Sequence, residues 1–109
     1  LSHGLSNALC LPHVARFNLV ANPQKFARVA AAMGRPVQQW PTLDAAQAAV
    51  QAIQDMCLDL GIPPRLRDVG VTEDCFDEMA QLCTQANYNR WNPRHTTTAD
   101  FRALFEKAF

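Results

Sequence analysis

Apolar residues recur along the chain at intervals of three and four and almost never at intervals of two, so the pattern is helical throughout. Leu5, Ala8, Leu9, Pro12 and Phe17 form a first apolar face, and Pro12, which lacks an amide donor, is expected to kink or divide it. Asn22-Pro23 pairs a capping residue with a helix-initiating proline. Phe26, Val29, Ala30 and Met33 then follow at helical spacing until Gly34 stops the helix. After a loop through Pro36 and Pro41, Thr42 is expected to cap a long helix. Its inner face reads Leu43, Ala46, Val50, Ile53, Cys57 and Leu60, and its outer face Asp44, Gln47, Gln51 and Asp55, with Gly61 and Pro63-Pro64 ending it.

Arg65 to Asp68 fits one short turn, begun by Pro64 and closed by Gly70. Thr72 followed by Glu73 and Asp74 predicts a helix start, because a cap oxygen and first-turn carboxylates both favour the positive helix end. Phe76, Met79, Ala80 and Cys83 carry that helix toward Ala86. A loop holding Tyr88, Trp91 and Pro93 separates it from a last helix. Thr97 and Asp100 open this helix as a weaker version of the capping box, Phe101, Leu104, Phe105 and Ala108 face inward, and Arg102 and Glu106 stand one turn apart outside. With no Val/Ile/Thr alternation and no Asn-Gly or Asp-Gly turn, strands are not expected. The predicted fold class is all-α: one domain over residues 1–109, a helical bundle of five to six helices.

Composition narrows the choice of partners. Ten basic and ten acidic side chains cancel to zero, which argues against a nucleic-acid binder with a basic face and against an acidic tail. An apolar share of 49% with only 18% charged residues is richer in apolar surface than most free-standing small domains, and predicts self-association as a homo-oligomer. No stretch is long enough for a membrane span, and Leu1-Ser2-His3-Gly4 has no basic signal-type start. A chain that opens without Met reads as a piece of something longer. Cys10, Cys57, Cys75 and Cys83 form no C-x-x-C, and their apolar neighbours predict plain core thiols in a reducing, cytoplasmic compartment. Met33, Met56 and Met79 read as core by the same reasoning.

The chemistry visible without a family is sparse. Four scattered glycines do not make a phosphate-cradling loop, and the strained G-x-S-x-G elbow of a serine nucleophile is absent. His3, His13 and His95 are too far apart to read as a local metal site. His3 and His13 would lie about 15 Å apart on an unbroken helix.

The opening run His3-Gly4-Leu5-Ser6-Asn7-Ala8-Leu9-Cys10-Leu11-Pro12-His13-Val14-Ala15-Arg16-Phe17-Asn18 resembles the H-G-x-x-N-A-x-L-L-P-H-V-x-x-F-N signature of the iron-dependent, group III alcohol dehydrogenases. Three further segments resemble the C-terminal helical domain of the same family: Phe26-Ala27-Arg28-Val29-Ala30 with Met33-Gly34, Leu60-Gly61-Ile62-Pro63 with Val69-Gly70-Val71, and Asn92-Pro93-Arg94. The resemblance covers essentially the whole chain. It implies an enzyme whose N-terminal α/β domain binds NAD(P) and whose helical domain holds Fe(II), in some relatives zinc, through an Asp and three His.

By that resemblance His3 is one metal ligand, expected at an exposed, concave end of the bundle with its ring free of protein partners. The other ligands and the nucleotide-binding domain would precede Leu1, so the 109 residues alone are expected to bind metal weakly and to be inactive. His13 reads as a structural histidine or, in its Pro-His-Val setting, as one that would support the site by hydrogen-bonding a ligand. Tyr88 aligns with a position facing the substrate pocket, where a phenol would narrow it, and otherwise reads as a buried tyrosine with one hydrogen bond. No catalytic or cofactor-binding residue is assigned within the chain. The implied substrates are small alcohols, diols or aldehydes. A maleylacetate-reductase-like enzyme and a non-catalytic helical interaction module are the alternatives.

Overall fold

The computed structural model describes residues 1–109 and holds five α-helices and no strand. They are α1 (His3–Asn18), α2 (Pro23–Ala32), α3 (Thr42–Asp59), α4 (Phe76–Thr84) and α5 (Thr98–Ala108), with short 3₁₀ turns at Leu19–Ala21, Leu66–Val69, Glu73–Cys75 and Asn87–Trp91. The all-α bundle expected from the sequence is therefore the fold.

Most boundaries follow the local chemistry. The Asn22 side chain accepts from the Lys25 amide ahead of Pro23, and Gly34 and Gly61 end α2 and α3 at positive φ, where a side chain would be strained. At α5 the Thr97 hydroxyl accepts from the Asp100 amide at 3.1 Å while the Asp100 carboxylate accepts from the Thr97 amide at 3.0 Å. That amide, then the hydroxyl, hold the Asp100 carboxyl below its ordinary range.

Two expected caps do not form. Pro41 occupies the cap position of α3, leaving Thr42 as its first helical residue. The Thr72 hydroxyl turns to the Asp74 carboxylate instead of a backbone amide, and α4 begins only at Phe76, after a 3₁₀ turn.

α1 runs unbroken through Pro12, against the expected division. Proline at this position leaves the Ala8 carbonyl without its intrahelical donor. The Cys57 thiol of α3 donates to that carbonyl at 3.9 Å, so part of the missing satisfaction comes from a neighbouring helix.

α1 lies between two helix pairs. On one side Ala15 and Leu19 pack on Ala46 and Val50 of α3, with Phe26 and Ile53 against them. α2 closes over α3 through Ala30, Val37, Ala45 and Ala49, and the small side chains permit close approach of the two helices. On the other side Leu9 packs with Leu66 and Ala108. Phe76 of α4 is buried between Phe105 and Phe109, its ring centroid 6.2 and 5.4 Å from theirs.

The inner face of α3 is thus made mainly of alanines. Leu43 and Leu60 of the expected stripe are exposed, as is Met56, assigned above to the core. Cys75 is also exposed, and the other three thiols are partly buried, so the plain-core reading fails for Cys75. Burial pushes the Cys10 and Cys83 thiols up from their ordinary value.

The molecule is a flat body of 44 × 31 × 19 Å. Its accessible surface is 7190 Å², where a compact monomer of this size exposes about 6,000 Å². Leu58, Leu60, Leu82, Tyr88 and Trp91 contribute to the excess, each more than 60% exposed.

The α2–α3 contact leaves no space for a larger side chain at Ala49, which is fully buried. Ala49→Leu is expected to destabilise the protein by about 1–3 kcal/mol through overpacking, and Thr97→Ala by about 1 kcal/mol through loss of the cap. Urea denaturation curves of the two variants check both values.

Candidate functional site

α1 carries both histidines singled out from the sequence, and its ends are fixed by different means. At the amino end the Ser2 hydroxyl accepts from the Leu5 amide at 3.2 Å, which sets the first turn and leaves His3 exposed upon it. Asn7, one turn on, places its amide nitrogen 3.1 Å from His3 Nε2. The ring is therefore not free of partners as expected. An amide N–H can only donate, so with this orientation Nε2 accepts and the proton of the neutral ring sits on Nδ1.

The carboxyl end of α1 is clamped by the Asn92-Pro93-Arg94 segment. Asn18, buried, exchanges two hydrogen bonds with Asn92 across 74 residues of sequence, at 2.8 and 2.9 Å. The Arg94 guanidinium stacks over the Phe17 ring at 3.8 Å and donates to the Phe17 carbonyl at 2.7 Å. Asn92 also donates to the Arg94 carbonyl, closing the loop on itself. In the sequence Asn92 and Arg94 stand out only as part of a family-like segment; the structure makes them the link between the last loop and α1.

The 3₁₀ turn just before this clamp holds Tyr88 and Trp91. Together with Val14, Phe17, Phe101 and Leu104 they line a cleft of about 340 Å³. Tyr88 is 71% exposed in this chain. Arg90 stacks on Trp91 at 4.2 Å, which orders this exposed turn.

His13 is half-buried on α1 and makes no hydrogen bond within the chain. Ten residues along an unbroken helix place it about 15 Å from His3. It therefore cannot bond the His3 ring, and any ligand it supports must come from elsewhere. Burial, then Arg16 and Lys107, hold its pKa below the ordinary value. His3, His13 and Tyr88 are not gathered into one site by these residues, and no group of three or more His, Cys, Asp and Glu is arranged to hold a metal ion. No helix is long and apolar enough to cross a membrane.

Residues 1–109 match the family described as Fe-containing alcohol dehydrogenase family, C-terminal. The 1,3-propanediol dehydrogenase of Klebsiella pneumoniae is 45% identical over all of this chain, which covers 28% of that protein. The lactaldehyde reductase of Escherichia coli strain K12 is 37% identical over 98% of this chain, again 28% of its own length. Among solved structures, a 1,3-propanediol oxidoreductase superposes with a TM-score of 0.98 at 45% identity, over the whole of this chain and 28% of the other. The alcohol dehydrogenase from Oenococcus oeni superposes with a TM-score of 0.95 at 34% identity, with the same coverage. The chain thus spans little more than a quarter of the length of these relatives.

The lowered pKa of His13 has a definite sign in stability. The folded state favours the neutral ring, so this contribution is fully present above the ordinary value of 6.5 and is lost as pH falls through the lower folded value. Stability measured by urea denaturation is expected to fall from pH 7.5 to pH 5 less steeply in His13→Gln than in the parent. Parallel profiles would show that His13 is not a source of the slope.

Proposed function

The chain belongs to the Fe-containing alcohol dehydrogenase family, and we propose that it is the C-terminal, metal-holding part of a two-domain NAD(P)-linked enzyme that interconverts small alcohols or diols and their aldehydes. The observation that carries the reading is the presentation of His3. It stands exposed on the capped first turn of α1, with only the Asn7 amide at Nε2. The names of the relatives, a 1,3-propanediol dehydrogenase and a lactaldehyde reductase, support a short, polar substrate.

The donor chemistry suits the metal. A neutral imidazole with its lone pair on Nε2 is a ligand for Fe(II) or zinc. The family resemblance implies that the remaining donors, an Asp and two His, would come from outside these residues. A metal held there would supply Lewis-acid polarisation of the substrate oxygen, and a bound nicotinamide would supply the hydride chemistry.

The chain's own part is positional. His3 would supply one donor, and the Asn7 amide, which approaches Nε2 at 3.1 Å, favours the tautomer that keeps the lone pair on that nitrogen. Tyr88 borders the substrate pocket and restricts its width, while His13 steadies a ligand from the preceding part of the protein.

One imidazole cannot fix a coordination geometry, so the 109 residues by themselves bind metal weakly and are inactive. The exposed apolar side chains and the excess surface described above are covered in the whole protein by the preceding domain and by a second copy. Four unpaired cysteines fit a cytoplasmic enzyme.

In the full-length protein, His3→Ala is expected to abolish stoichiometric iron or zinc. It is also expected to lower alcohol oxidation by more than the roughly 100-fold that accompanies loss of an outer hydrogen-bond partner of a metal ligand. Elemental analysis and NAD(P)H formation on 1,3-propanediol measure the two effects. Full metal content in the variant would refute the assignment.

A further inference from the structure

Three cationic side chains from three different segments converge on one cleft, none of them in a salt bridge. Arg16 of α1, Arg94 of the last loop and Lys107 of α5, with His13, Phe17 and Asp100, line a space of about 500 Å³. The salt bridges of this neutral chain all lie elsewhere: Arg35 pairs with Asp55, and Arg102 with Asp77 and Glu106. Asp100 is the one acid of the cleft, and it is engaged at the Thr97 cap. The three cations and this carboxylate leave the cleft with about two positive charges in excess.

The arrangement is also preorganised. Arg94 is held by its stack on Phe17 and its bond to the Phe17 carbonyl through Nη1, which leaves the rest of its planar fork available. His13, half-buried and unbonded, has an N–H to offer beside it. The positive potential is felt by the ring itself, since Arg16 and Lys107 both disfavour its protonation.

We propose that this cleft is a binding site for a phosphate dianion, free or carried by a small organic ester. A doubly charged tetrahedral oxyanion matches the excess charge, and a guanidinium fork, a second Arg, a Lys and a neutral imidazole N–H supply donors from several directions. The space is larger than one inorganic ion and falls in the range of small-molecule sites, so it accommodates an organic remainder. None of these residues is a proposed metal donor; His13 is the one residue shared with the metal-site reading, and the variant tested below leaves it in place.

The test uses the full-length protein, titrated with inorganic phosphate, with glycerol 3-phosphate, and with sodium chloride at matched ionic strength. Melting temperature and ³¹P line width are followed. A saturable rise in melting temperature with either phosphate, and none with chloride, is expected by mass action. Arg16→Gln combined with Lys107→Gln removes two exposed, unpaired side chains. It is expected to leave the melting temperature in phosphate-free buffer unchanged and to weaken binding about tenfold or more. Tighter binding of the ester supports the ester-bound form of the ligand, and equal binding supports the free ion. No saturable response, an equal response to chloride, or affinity unchanged in the double variant would overturn the proposal.

Discussion

Two carboxamides facing one another, Asn18 at the end of α1 and Asn92 in the last loop, close a tie across 74 residues of sequence. A buried amide left unpaired costs about 1–3 kcal/mol, so the pair holds the two segments in one relation. Arg94 adds a second bond and a ring stack at the same helix end. α1 itself lies between the α2–α3 pair and the α4–α5 pair, and it bears His3 at one end and His13 near its middle. The turn carrying Tyr88 and Trp91 leads directly into the clamp. The placement of the proposed metal donor, pocket wall and anion cleft therefore depends on this helix being continuous and fixed.

Continuity is not what the residue pattern suggests, and the difference shows where local reading stops. Period, caps and glycine stops describe forces between neighbours in sequence, so α2, the Thr97–Asp100 box and the ends at Gly34 and Gly61 were legible in the chain. Pro12 signals a break because proline removes a hydrogen bond, yet the Cys57 thiol from another helix approaches the freed carbonyl. The amide pair spans 74 residues, and no periodicity carries that distance. The buried face of α3 was misread in part because Ala45, Ala49 and Ala52 weigh little beside Leu43 and Leu60, although small side chains are what close helix packing requires.

The candidate site was legible only through resemblance. A lone exposed histidine has no chemical signature of its own, and His3 gains meaning from the sixteen-residue run it opens. The basic cleft was invisible at that level, since Arg16, Arg94 and Lys107 are scattered among ten basic residues in a chain of zero net charge. Their juxtaposition is a product of the fold. The same holds for the flat shape and excess surface.

The central claim, that the end of α1 and the last loop are energetically one unit, is tested most directly by a double-mutant cycle on Asn18→Ala and Asn92→Ala in the full-length protein, with stability read from urea denaturation. A coupling of about 1 kcal/mol or more between the two positions is predicted. Effects that add to within roughly 0.3–0.5 kcal/mol, as for independent sites, would contradict it.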